Sequence, residues 1–185
     1  MPRPVLFVQG GGEGAYQEDA ALAVSLAGAL GAGCRVVYPP MPEQDDATTA
    51  DWTRRIAAEA AALGDGVVLV GHSIGATLLL VALAEGAPWP GPWPAVAGVF
   101  LVAAPFVGPG GWEIDFALPT DLAGRLPRGV PVVFYHSADD DTVPLAHAGV
   151  YARALSGAVF RRLDGRDHQF NEDLAEVAAD IRRLG

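Results

Sequence analysis

Residues 67–85 constrain this chain more than any other stretch. They read Val-Val-Leu-Val, then Gly-His-Ser-Ile-Gly, then an apolar run that ends at Glu85. A short run of Val and Leu without polar alternation is the pattern of a strand covered on both faces. The segment Ile74–Glu85 is apolar nearly all round, which predicts the most deeply buried helix of the molecule. A buried strand that feeds a buried helix across a glycine-flanked turn needs parallel strands beside it and helices over both faces.

The rest of the chain repeats this unit. Val5–Gln9 predicts a strand that ends in Gly10-Gly11-Gly12, and Asp19–Leu30 predicts a helix stopped by Gly31 and Gly33. Arg35–Tyr38 predicts a second strand, Glu43–Thr49 a polar loop, and Thr49 or Ala50 through Leu63 a helix built on Trp52 and Ile56. Val67–Val70 is the third strand. After a rigid Pro/Trp segment, Pro88–Pro94, Ala95–Ala103 predicts the fourth strand. Pro105–Pro127 has little periodicity and reads as an irregular excursion. Val130–His136 and Ala158–Leu163 predict two more strands, and Ala146–Leu155 and Glu172–Leu184 two more helices. With 185 residues, 51% of them hydrophobic, and no internal repeat or long linker, residues 1–185 are expected to form one domain.

Charge and composition exclude several classes. The net charge is −10, and all 12 basic residues are arginine, so a phosphate backbone is repelled and no nucleic-acid partner is expected. No apolar run reaches the roughly 18 residues of a membrane span. Met1-Pro2-Arg3-Pro4 runs straight into a strand without a secretory pattern. The one cysteine, Cys34, has no intramolecular partner and is expected to be buried at the start of the second strand. These features predict a soluble, cytoplasmic protein that does not bind membranes.

Ser73, at the centre of Gly71-x-Ser73-x-Gly75, is the candidate nucleophile. A sharp strand-to-helix turn would project its Oγ from the strand end, with the small residues Gly71, Gly75 and Ala76 letting the chain double back. A serine hydroxyl needs a base, and four histidines are available. His72 should point away from the Ser73 Oγ. His136 ends a strand and suits core hydrogen bonding, and His147 is expected on the surface of a helix. His168, in the loop after the last strand, emerges on the same sheet edge as Ser73 and is the candidate base. The third member is a carboxylate from Asp139-Asp140-Asp141, after the fifth strand, where two of the three can simply face solvent. The order Ser, Asp, His is that of one hydrolase class. Ile74, the residue after the nucleophile, supplies one oxyanion-hole N–H, and the loop after the first strand another. Gly10–Gly14 lacks the Lys-Ser/Thr ending of a phosphate-binding loop and fails the dinucleotide fingerprint. No metal or organic cofactor is expected.

The motifs Val-Gln-Gly-Gly-Gly (8–12), Gly-His-Ser-Ile-Gly (71–75), His-Ser-Ala-Asp-Asp-Asp-Thr-Val-Pro (136–144) and Gly-Arg-Asp-His (165–168) resemble those of α/β-hydrolases over nearly the whole chain. They are most similar to the small, lidless serine hydrolases of the RBBP9/YdeN-like branch. In that family the acid stands in an Asp-x-x-Val-Pro pattern three residues after a small residue. The resemblance therefore implies Asp140, in register with Ser137 and Val143-Pro144, with Asp139 next in line. It also implies Gly11 as the second oxyanion donor, with Gly12 close behind at the substrate pocket. Two departures stand out. Gln9 takes the place of a histidine common in relatives, and the chain begins at the equivalent of the family's third strand.

The implied fold is a minimal α/β-hydrolase without a cap domain. It is a three-layer α/β/α sandwich on a six-stranded, mainly parallel sheet of order 2-1-3-4-5-6, with the site at the switch beside strands one and three. The implied activity is hydrolysis of a small carboxylic ester or thioester through an acyl-enzyme. The alternatives are an interaction protein with little turnover, and an acyltransferase or C–C hydrolase on the same scaffold. Trp112, Phe116 and Leu118 are candidates for a pocket wall or for plain loop anchors, and Phe106 and Val107 carry the same two readings.

Overall fold

In the computed structural model, residues 1–42, 47–86 and 93–185 are described. The strands are β1 (Arg3–Val8), β2 (Cys34–Val37), β3 (Val67–His72), β4 (Val96–Val102), β5 (Val132–Ser137) and β6 (Val159–Leu163). The helices are α1 (Ala15–Glu18), α2 (Ala20–Leu30), α3 (Thr49–Leu63), α4 (Ser73–Glu85), α5 (Leu122–Arg125), α6 (Ala146–Ala154) and α7 (Ala175–Ile181). The six strands form one sheet of order β2-β1-β3-β4-β5-β6, and every neighbouring pair is parallel. The expected Glu43–Thr49 loop and Pro88–Pro94 connection fall partly outside the described residues.

The period of two along each strand divides the core into two layers. Leu6, Val8, Leu69, Leu101 and Phe134 face α3, α4, α5 and α6. Val5, Phe7, Val68, Val70, Phe100, Val102 and Tyr135 face α2 and α7. Both faces of the central strands are dry, which is why their sequences show no polar alternation. Helix α4 is buried at every position from Gly75 to Ala84. Each fully buried Leu or Phe in these layers contributes roughly 1.5–3 kcal/mol. Helix α3 opens with a reciprocal capping box, in which Thr48 Oγ1 accepts the Asp51 N–H and Asp51 Oδ2 accepts the Thr48 N–H.

Three local expectations are corrected. Cys34 is only half-buried, because β2 is an edge strand. The last helix starts at Ala175 instead of Glu172, since Phe170, Asn171 and Glu172 all take left-handed backbone angles and turn the chain first. His147 is buried, not on the surface. Its Nδ1 accepts the Phe106 N–H at 2.9 Å, which ties the start of the 105–127 excursion to α6. Among the described residues no helix is long and apolar enough to cross a membrane.

Candidate active site

The site gathers at the C-terminal edge of the sheet, where β1 and β3 feed loops of opposite direction. Ser73 follows β3 directly with φ of 51°, a left-handed value that costs a non-glycine residue roughly 1–2 kcal/mol. The two flanking glycines make the turn possible. A Cβ on Gly75 would overlap the carbonyl oxygen of Gln9, and one on Gly71 would come within 2.6 Å of the Ala76 Cα. Gln9 itself is buried, and its Oε1 accepts the Met41 N–H at 3.2 Å. No side chain caps the N-terminus of α4, so its first N–H groups open onto the site.

His168 reaches Ser73 from the loop after β6. Its Nε2 lies 3.1 Å from Ser73 Oγ, and its Nδ1 lies 2.8 Å from Asp140 Oδ2. The other carboxylate oxygen of Asp140 accepts two backbone N–H groups, from Thr142 at 2.9 Å and Val143 at 2.8 Å. Burial raises the Asp140 pKa, but the hydrogen bond from His168 and those of the backbone outweigh it and hold the carboxyl below its usual range. Asp139 turns away and accepts the Gly165 N–H at 2.6 Å, and Asp141 is exposed. The register is thus the one with Asp140 against the histidine.

The loop that carries His168 is laced at both ends. Ser137 Oγ donates to the Arg166 carbonyl. Asn171 donates from Nδ2 to the Gly165 carbonyl at 2.8 Å, and Arg166 bonds Glu176 at 2.7 Å. His136 is buried with Nε2 donating to the Val143 carbonyl at 2.8 Å, so it braces the turn behind Asp140. His72 is buried behind the elbow, its ring directed at Asp19 and at the His168 backbone.

A cleft of about 470 Å³ opens over Ser73. Gly11, Ile74, Trp112, Ile114, Thr142 and Gln169 line it with Ser73 and His168. The excursion after β4 doubles back through bonds from the Trp112 N–H to the Phe106 carbonyl and from the Gly108 N–H to the Trp112 carbonyl, which brings Trp112 to the cleft. Phe106 instead packs edge-on against Tyr151 with centroids 5.0 Å apart, and Phe116 packs, partly buried, against the hydrophobic core. Gly12 lines the neighbouring cleft with Tyr16, Met41 and Trp52. Of the four residues expected along the pocket, Trp112 alone lines the Ser73 cleft. Ile114, Thr142 and Gln169 were not foreseen, because only the folded excursion and loop ends bring them there. Asp19 was read merely as the start of a helix. No sequence signal set it apart from Glu13 and Glu18 nearby, and only the structure shows that it stands at the N-cap of α2 without making a side-chain cap.

A doubly wound parallel sheet with a nucleophile-elbow serine and a histidine loop after the last strand defines an α/β-hydrolase, here without a cap domain among the described residues. The family model described as serine hydrolase matches residues 26–173, and the chain belongs to that family. A search of curated proteins finds no significant match. Among solved structures, a serine hydrolase involved in carbazole degradation, the CarC enzyme, superposes with a TM-score of 0.74 at 15% identity. That match covers 98% of this chain and 90% of the other. SOBER1 of Arabidopsis thaliana gives 0.71 at 15% identity over 100% and 99%. The esterase RhEst1 from Rhodococcus sp. ECU1013 gives 0.68 at 19% over 100% and 92%. At these identities the likeness is one of fold.

Proposed function

We propose that this protein is a carboxylesterase-like serine hydrolase acting on a small ester or thioester in the cytoplasm. The observation that carries the reading is the continuous chain from Asp140 through His168 to Ser73, at 2.8 and 3.1 Å. Ser73 Oγ attacks the ester carbonyl carbon as His168 Nε2 takes its proton, and Asp140 stabilises the imidazolium through Nδ1–H. His168 then protonates the departing alcohol or thiol, leaving an acyl-enzyme. A water molecule attacks the acyl carbon, His168 takes its proton, and return of that proton to Ser73 Oγ releases the acid.

The oxyanion donors of this reading are the Ile74 and Gly11 N–H groups. Two facts support Gly11. The Gly10 N–H is already committed to Asp19 at 2.6 Å, and among the described residues no acceptor takes that of Gly11. The apolar wall of Trp112 and Ile114 suits a short acyl or alkyl group.

The test is labelling with a fluorophosphonate, peptide mapping, and hydrolysis of short p-nitrophenyl esters by wild type and Ser73→Ala. Label at Ser73, with turnover that the substitution abolishes, is expected. A folded protein that takes no label at Ser73 overturns the reading.

A further inference from the structure

Behind the serine and histidine lies a second buried pair that the mechanism above does not use. Asp19 and His72 are each 1% exposed. Asp19 Oδ2 accepts the Gly10 N–H at 2.6 Å and lies 2.9 Å from His72 Nδ1, while His72 Nε2 lies 3.0 Å from the carbonyl oxygen of His168. A carbonyl only accepts, so the proton on that side belongs to Nε2. Burial raises the Asp19 pKa, but the bonds from His72 and Gly10 prevail and hold the carboxyl below its usual range. Oδ2 accepts the Gly10 N–H, and one proton shared between Oδ2 and Nδ1 closes the 2.9 Å contact.

We propose that Asp19 and His72 are positioning residues for the hydrolase, one buried carboxylate fixing both the glycine loop beside Gly11 and the backbone of His168. The proposal rests on the functional reading above. Three loops, after β1, β3 and β6, meet at the pair, and residues as far apart in sequence as His72 and His168 are joined through it. Asp19 stands at the N-cap of α2 but gives that helix no side-chain bond, so its carboxylate serves the site instead.

The chemistry explains why an acid is needed. Both contacts of Asp19 fall on a single oxygen, Oδ2. An asparagine could turn its oxygen to the Gly10 N–H and to a protonated Nδ1. A ring with only that proton would then face the His168 carbonyl with a bare Nε2. Turning the amide NH₂ to Nδ1 would instead oppose the Gly10 donor. Either way one of the three bonds is lost, and the His168 backbone or the glycine loop is released. A displacement near 1 Å at such a site costs on the order of 100-fold in rate.

The test compares wild type, Asp19→Asn and Asp180→Asn on p-nitrophenyl acetate, with active sites counted by fluorophosphonate titration. Asp180 is the control for burial alone. It is 8% exposed and bonded to Tyr135, Arg161 and Arg183, on the α7 side of the sheet. Asp19→Asn is expected to lower kcat per titrated site by about 10- to 100-fold with KM little changed. Asp180→Asn is expected to lower the thermal midpoint and leave kcat per site as it was. Equal kcat per site in Asp19→Asn and wild type, or an equal loss in both variants, overturns the proposal. A wild type that neither labels nor turns over overturns the hydrolase reading and this one with it. Should Asp19→Asn not fold, nitrogen-resolved NMR of the wild-type histidine rings decides. A slowly exchanging proton on His72 Nε2 upholds the proposal, and its absence overturns it.

Discussion

Replacing Asp140 by asparagine changes one oxygen to an NH₂ group, and the structure dictates where that group must point. Oδ1 of Asp140 accepts two backbone N–H groups, from Thr142 and Val143. An amide nitrogen cannot stand opposite two donors, so the amide oxygen stays there and the NH₂ group faces His168 Nδ1 across the 2.8 Å contact. The ring answers by accepting at Nδ1 and carrying its proton on Nε2, toward Ser73 Oγ. It then has no lone pair for the serine proton, and it loses the carboxylate that stabilises the imidazolium. Triad acids replaced in this way cost about 10⁴-fold in kcat in known serine proteases, roughly 5 kcal/mol of transition-state stabilisation. The same loss, to within about tenfold, is expected here. Asp139→Asn keeps an oxygen for the Gly165 N–H and touches neither ring, so its kcat should stay near that of wild type. The assay is hydrolysis of p-nitrophenyl acetate by both variants, with folding checked by circular dichroism. Comparable activity in the two, or a larger loss in Asp139→Asn, would refute the orientation argument.

Other expectations follow from the same geometry. Gly75→Ala drives a methyl group into the Gln9 carbonyl, and a shift of backbone is needed to hold it, so urea melts should show a loss of at least about 3 kcal/mol or no folded protein. A midpoint unchanged from wild type would mean that the elbow is looser than described. Ser73→Gly removes the left-handed strain that Ser73→Ala retains, and should be the more stable of these two inactive variants by about 1 kcal/mol. Equal urea midpoints would contradict a strained nucleophile. His147 is held below the usual histidine range by burial first, with the charge of His136 adding to it. An unfolded chain therefore binds more protons at this residue just below pH 6.5, so its contribution is present above that pH and is lost as pH falls toward the folded value. His147→Gln preserves an acceptor for the Phe106 N–H and cannot titrate, so it should flatten the fall in thermal midpoint between pH 7 and pH 5. An unchanged slope would refute the assignment.

How far the chain could be read in advance depended on the range of the interactions involved. Strand positions followed from short apolar runs bounded by glycine and proline, and helices from longer apolar segments, which are local signals, and the largest slip came where a turn intervened, at Phe170–Glu172. The nucleophile was legible because the elbow's steric demand falls on near neighbours, Gly71 and Gly75. His168 and the run Asp139–Asp141 were legible because strand ends in a parallel sheet share one edge, and chain order then limits the choices; within the run only the family resemblance pointed to Asp140. The pocket wall was not, since the excursion after β4 is shaped by bonds such as Phe106 N–H to His147, between residues without a shared period.

The sequence by itself determined the layered α/β architecture, the serine turn and the loops from which its base and acid had to come. Those are matters of local sterics and of burial pattern. Only the tertiary structure decided that Asp140 faces His168 while Asp139 turns to Gly165, that Trp112 lines the cleft while Phe106 does not, and that Asp19 and His72 stand behind the site. The reason is physical. A buried polar group must find a partner, and the partner it finds depends on which loops the closed sheet brings within about 3 Å of it.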